Sequence, residues 1–119
     1  MVGADHSSCC VLNNDIFYGG EPAGFVLKVG SLSIYHCGDT NVFYDMENIN
    51  YLYKPTHLLI PIGGFYTMGP KEAGFAVARF LKSANTVIPM HFGTFPALKG
   101  TVEEFTKEFE KFRPKFKRD

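Results

Sequence analysis

The chain has no tryptophan, only three cysteines in 119 residues and no net charge, and each shortage narrows what it can be. Three thiols, two of them the neighbours Cys9 and Cys10, cannot build a disulfide framework and contain no Cys-x-x-Cys spacing. A reducing, cytoplasmic setting is therefore expected. Cys9, Cys10 and Cys37 read as free buried thiols more readily than as ligands or nucleophiles. Twelve basic residues cancel twelve acidic ones, which leaves no field to attract a nucleic acid. Only the stretch from Lys107 to Arg118 is locally basic, and Arg113 to Asp119 read as a frayed, solvated terminus rather than a phosphate-binding arm. The longest apolar runs, such as Leu58 to Ile62, are strand-sized and far below the ~20 residues of a membrane helix. No charged-then-apolar leader opens the sequence, and no repeat or linker divides it, so residues 1–119 are expected to form one domain without membrane or nucleic-acid partners.

What is present is apolar and aromatic. Hydrophobic residues make up 45% of the chain, enough for a packed core. Twelve Phe and six Tyr are many for this length, and imply more apolar surface than a small sphere easily hides. Gly24 to Val29 and Leu32 to Cys37 are β-rich runs separated by Gly30-Ser31, the length and composition of a tight hairpin. Tyr44 to Leu52 has near-helical spacing and is closed by Lys54-Pro55. The apolar run Leu58 to Ile62 predicts a strand covered on both faces. Pro70 suits a first helical turn, and Ala73, Ala76, Val77, Phe80 and Leu81 form one stripe of a helix over 70–82, with Phe75 off that stripe. Thr86 to Met90 is a further strand, so strand, helix and strand make a βαβ unit. Thr101 and Glu104 match a capping box, followed by Val102, Phe105, Phe109 and Phe112 at helical spacing until Pro114. The pattern is α/β: a mixed sheet with helices mainly on one face.

Parallel strands carry their C-terminal ends to one edge, where α/β proteins place their sites. Asp39 follows the second hairpin strand, His91 ends the last strand and Gly63-Gly64 ends the strand between them. Asp39 and His91 meeting there suit a transition metal, whereas Asp39 alone is more often a turn-former or helix cap than a ligand, and His91 alone is as readily a hydrogen-bonded structural residue. His57 starts its strand and falls at the opposite edge. His36, just before the strand end, suits a supporting or core role. His6 is too near the terminus to place by pattern. Gly63-Gly64 and Thr67-Met68-Gly69-Pro70 could cradle an anion at a helix N-terminus, although no nucleotide P-loop pattern is present.

The runs Ala4-Asp5-His6-Ser7-Ser8, Ile34-Tyr35-His36-Cys37-Gly38-Asp39-Thr40, Pro61-Ile62-Gly63-Gly64 with Thr67-Met68-Gly69-Pro70, and Ile88-Pro89-Met90-His91-Phe92-Gly93-Thr94-Phe95-Pro96 resemble the metallo-β-lactamase superfamily, in its group of small predicted metal-dependent hydrolases. The resemblance implies half of an αββα sandwich. It implies that His6, Asp39 and His91 are metal ligands, Asp39 bridging, with His36, Gly63, Gly64, Thr67 and Thr94 around them, while the catalytic residues stay unassigned. It further implies zinc, with manganese or iron as alternatives, and hydrolysis of an ester, amide or phosphodiester by a metal-activated water. The family's His-x-His-x-Asp-His motif is missing, since Met1, Val2 and Gly3 stand where its first histidines would precede Asp5-His6. Three ligands for two metals imply weak metal binding or none, and a truncated or incomplete enzyme. The alternative is a non-catalytic interaction or structural protein that keeps the fold. Losing the other half of the sandwich would bare an apolar sheet, so the expected partner is that N-terminal half or a second copy packed sheet against sheet in a homodimer.

Overall fold

The computed structural model describes residues 1–116. Its elements run β1 (Val2–Gly3), β2 (Cys9–Leu12), β3 (Asp15–Tyr18), β4 (Ala23–Val29), β5 (Leu32–His36), α1 (Met46–Tyr53), β6 (His57–Pro61), α2 (Pro70–Arg79), β7 (Thr86–Met90) and α3 (Val102–Phe112), with a 3-10 turn over Arg113–Phe116. Five strands form a mixed sheet in the order β1-β4-β5-β6-β7, and β2 and β3 form a separate two-stranded hairpin. The Gly30-Ser31 turn joins β4 to β5 antiparallel with Val29 opposite Leu32, and Gly30 takes the left-handed conformation that such a turn requires. From β5 onward the sheet is parallel, with His36 opposite Leu59 and Leu59 opposite Ile88.

This register fixes two faces. Tyr35, Leu58 and Ile60 point to one side and are fully buried under Met46 and Ile49 of α1, Ala73, Ala76 and Val77 of α2, and Phe80 and Leu81 beyond it. Full burial of a large apolar side chain contributes about 1.5–3 kcal/mol. The other side carries Phe25, Leu27, Leu32 and Ile88, all exposed. The helices therefore cover a single face, as the pattern predicts. Leu58 to Ile62 is largely covered, as expected: Leu58, Ile60 and Ile62 are buried, Pro61 is buried on the side opposite Ile60, and Leu59 alone is partly exposed.

Helix ends follow local chemistry. Lys54 in the left-handed region ends α1 before Pro55 acts. Arg79 is the last residue of α2, three short of the sequence estimate, because Phe80 and Leu81 turn inward to the core. At α3 the Thr101 hydroxyl accepts from the Glu104 N–H and the Glu104 carboxylate accepts from the Thr101 N–H, both at 3.2 Å, a closed capping box. Gly74 lets α3 approach: a Cβ there would lie 2.8 Å from the Phe109 nitrogen.

The structure corrects several expectations. Phe75 is not a free aromatic; its ring packs edge-on against Phe80, Phe112 and Phe116 at 5.5–5.7 Å. α3 does end at Phe112, ahead of Pro114 as expected, but the chain continues in a 3-10 turn that carries Phe116 back to Phe75. Arg113–Phe116 are therefore ordered as a turn rather than frayed, with Phe116 half-buried and Arg113 to Lys115 exposed, and residues 117–119 lie outside the described residues. The first 22 residues, given no elements from pattern, contain three strands. Asn13 and Asn14, both at positive φ, form the two-residue turn of the β2–β3 hairpin, an Asn-rich signal present in the sequence. Cys9 and Cys10 lie on that hairpin and are exposed, and only Cys37 is buried as expected.

Because Phe75 joins α2, α3 and the 3-10 turn, Phe75→Ala should lower unfolding free energy by about 3–5 kcal/mol in urea titrations. Tyr51→Ala, at a 76% exposed position, should change it by about 0.5 kcal/mol or less.

Candidate metal centre

Three loops at the C-terminal ends of β5, β6 and β7 meet at one edge, and backbone hydrogen bonds tie them together. The Met68 N–H donates to the Thr40 carbonyl at 3.0 Å, joining the loop after β6 to the turn after β5. The Asp5 N–H donates to the Thr40 hydroxyl at 2.9 Å, and the Asn41 N–H donates to the Asp5 carbonyl at 2.8 Å, so the segment holding His6 is fastened to the turn holding Asp39. The Gly100 N–H donates to the Gly63 carbonyl at 3.1 Å, closing the loop after β7 against the loop after β6.

On this platform the His91 Nε2 lies 3.5 Å from an Asp39 carboxylate oxygen. Two donors on one tetrahedral ion, each at about 2.1 Å, stand about 3.4 Å apart, so this spacing suits a shared transition metal. The His91 Nδ1 is buried without a hydrogen-bond partner among the described residues, and His91 sits at φ 56°, an uncommon backbone state for a histidine. Its carbonyl rests on Gly63, where a Cβ would lie 2.1 Å from that oxygen. Only glycine at 63 admits the approach that sets His91. Gly64, at φ 76°, bends the chain away toward Thr67 and α2.

The remaining candidates divide by position. The His6 Nδ1 lies 2.8 Å from the Ser7 carbonyl, which fixes the proton on Nδ1 and leaves the Nε2 lone pair free to ligate. The His36 Nδ1 accepts from the Gly38 N–H at 3.1 Å and so braces the turn that presents Asp39. Thr67 is buried with its hydroxyl unpartnered among the described residues, and Thr94 is exposed on the loop after His91. His57, whose Nδ1 is 2.9 Å from the Thr56 hydroxyl, begins β6 at the opposite edge. The anion cradle proposed for Thr67 to Pro70 is taken by the chain itself, since the Gly69 N–H donates to the Glu72 carboxylate at 3.2 Å. Among the described residues no group of three His, Cys, Asp or Glu side chains is disposed to hold a metal. The structure thus brings Asp39 and His91 together and holds His6 on an adjoining segment without closing a three-donor set.

Cys37 takes no part. It is fully buried on the helix side, and burial pushes its thiol up to about 12. Burial, with the Cys37 thiol and Asp45 nearby, also pushes the Tyr35 phenol up. Elsewhere, a cavity of about 540 Å³ lined by Gly63, Gly64, Phe65, Lys99 and Gly100 opens beside the loop junction. A second, of about 550 Å³ between α2 and α3, is lined by Val77, Leu81 and Phe109 and lies away from Asp39 and His91.

Comparison with known proteins places this geometry in a family. Residues 5–91 match the beta-lactamase superfamily domain, and the chain belongs to that superfamily. It is 47% identical over 111 residues to a UPF0173 metal-dependent hydrolase of Methanoculleus marisnigri, covering 93% of this chain and 49% of the relative. A UPF0173 metal-dependent hydrolase of Methanosarcina barkeri is 48% identical over 110 residues, covering 92% and 47%. The chain spans about half the length of these curated relatives. A metallo hydrolase from Ignicoccus hospitalis superposes with TM-score 0.74 at 36% identity, covering 91% of this chain and 42% of that one. A metallo-β-lactamase superfamily protein from Thermotoga maritima superposes with TM-score 0.62 at 29% identity, covering 89% and 58%. The expected αββα half-sandwich is thus the observed fold.

Two outcomes test the local geometry. Gly63→Ala should cost about 1–3 kcal/mol of stability and shift the His91 ring resonances in NMR spectra, because the new methyl displaces the His91 carbonyl. Cys37 should resist thiol reagents at pH 8 in the folded chain. Its folded value lies above the ordinary thiol value of 9.0, so the unfolded chain loses the proton first and stability falls as pH rises from 9.0 toward about 12. Cys37→Ala should flatten that decline in denaturation midpoints.

Proposed function

We propose that this chain forms the C-terminal ligand face of a metal-dependent hydrolase centre, with Asp39 and His91 as its fixed pair and His6 as the third donor. The observation that carries the reading is the 3.5 Å approach of the His91 Nε2 to the Asp39 carboxylate across the end of β6, made by residues from two different strand ends. The relatives of similar sequence are named metal-dependent hydrolases, which supports the same class for the site here. The donors present, two imidazole nitrogens and a carboxylate, suit zinc first and manganese or iron next.

When bound, such an ion would supply Lewis acidity and an acidified water for attack on an ester, amide or phosphodiester. The chain's own residues do the positioning. Asp39 brings the negative charge that favours a cation at this edge, His36 braces its turn, and the Ser7 carbonyl sets the tautomer of His6. Gly63 holds His91 at its height above the sheet. Three donors leave a tetrahedral site open, and two ions would need further ligands from outside these residues. Turnover therefore belongs to an assembly that adds the His-x-His-x-Asp-His donors missing from this sequence.

The test is metal analysis of the purified chain. We expect less than one equivalent of zinc, removed by chelator washing. Asp39→Ala and His91→Ala should each abolish the remaining binding in calorimetric zinc titrations, and His57→Ala should leave it unchanged. A full equivalent retained through chelation, or equal loss in all three variants, would overturn the assignment.

A further inference from the structure

We propose, building on the metal reading, that Thr40 is a positioning residue of the candidate centre. Its hydroxyl fixes the orientation of the His6 segment against the turn that presents Asp39, and so sets how well His6 serves as the third donor. Thr40 is fully buried, and its hydroxyl is used in both senses. It accepts from the Asp5 N–H at 2.9 Å and donates to the Asn41 carbonyl at 2.8 Å. The Asn41 N–H in turn donates to the Asp5 carbonyl at 2.8 Å. Asp5, the residue before His6, is thus held by its N–H and by its carbonyl.

Two hydrogen bonds fix an orientation where one leaves a pivot. Without the Thr40 hydroxyl the Asp5 carbonyl would keep its bond from Asn41, so the segment would stay attached but turn about that point. At its ends the segment is held at Gly3, paired with Ala23, and at Ser8, whose carbonyl accepts from the Gly19 N–H at 2.6 Å. His6 lies between these anchors, and its Nδ1 is bonded to the Ser7 carbonyl of the same segment, so the ring turns with the backbone.

Asp39 and His91 are held by other means. The Thr40 carbonyl, not its hydroxyl, accepts from the Met68 N–H at 3.0 Å to join the loop after β6 to the Asp39 turn. Gly63 seats the His91 carbonyl, and the His36 ring braces the turn through the Gly38 N–H. The hydroxyl therefore acts on the centre through His6. Valine at this buried position would fill the same volume but could neither donate nor accept, leaving the Asp5 N–H without that partner. Serine would keep both hydrogen bonds.

In calorimetric zinc titrations of the full chain, Thr40→Val should weaken binding about tenfold, the scale on which groups that orient metal ligands act. Thr40→Ser should stay close to the unaltered chain. Adding Thr40→Val to His6→Ala should cost nothing further, because the hydroxyl acts through His6. Metal-free protein gives a second readout by NMR: Thr40→Val should shift the His6 ring resonances and leave those of His57 in place. In the unaltered chain the Asp5 amide should exchange with solvent as slowly as the Asn41 amide, a measurement that needs no variant to fold. Equal weakening by Thr40→Ser and Thr40→Val, further weakening in the double variant, or free exchange at Asp5 would each overturn the role of Thr40. So would zinc binding lost in Asp39→Ala and His91→Ala but unchanged in Thr40→Val, with the metal reading left standing. Zinc binding indifferent to Asp39→Ala and His91→Ala would overturn the metal reading and this role with it.

Discussion

The close approach of Gly63 to the His91 carbonyl is the constraint on which the candidate centre depends. β6 and β7 run parallel in register from His57 opposite Thr86 to Pro61 opposite Met90, and pairing continues as the Ile62 N–H donates to the Met90 carbonyl. Beyond that point the chains must part, one toward α2 and the other toward α3. A residue with a side chain at 63 would separate them one position too early. Glycine delays the parting until His91 has been carried past the strand end to the level of Asp39. The same economy recurs at Gly100, where a Cβ would lie 1.9 Å from the Ile62 carbonyl. Two bare backbones thus hold the loops after β6 and β7 together.

One-sided covering is the second organising fact. Every helix packs on the Tyr35, Leu58 and Ile60 face, and Phe75, Phe112 and Phe116 seal the outer seam between α2 and the C-terminal turn. Much of the phenylalanine surplus is spent there, between helices, rather than on the sheet's bare side. Phe25, Leu27, Leu32 and Ile88 remain in the open. In an αββα sandwich this is the side that faces the other sheet. The edge carrying Asp39 and His91 and the bare face belong to one sheet, and the relatives matched by this chain are about twice its length.

Strand-sized apolar runs, the Gly30-Ser31 turn, the alanine stripe of α2 and the Thr101 box made the mixed sheet and its helices legible in the sequence. Asp39 and His91 were legible as residues that follow parallel strands. His6 was not, because no periodic element encloses it, and only likeness of motif marked it out. The hairpin of β2 and β3 is hard to see in the sequence, although Asn13-Asn14 announces its turn. Its strands carry apolar residues on both faces, and that pattern lacks the one-sided alternation by which a half-buried strand is recognised. Cys9 and Cys10, unlike Cys37, depart from expectation for a related reason: thiols are usually buried, and composition cannot register that a hairpin stands apart from the core.

By itself the sequence determined the α/β class, the parallel order that sends strand ends to one edge, and the absence of the His-x-His-x-Asp-His donors, because these follow from local periodicity, turn chemistry and residue identity. Tertiary structure alone decided that Asp39 and His91 stand 3.5 Å apart, that Phe75 is a seam rather than a free aromatic, and that Cys9 and Cys10 face solvent. Those outcomes depend on contacts between residues distant in the chain: the approach of His91 to Gly63, the return of Phe116 to Phe75, and the separation of the hairpin from the sheet.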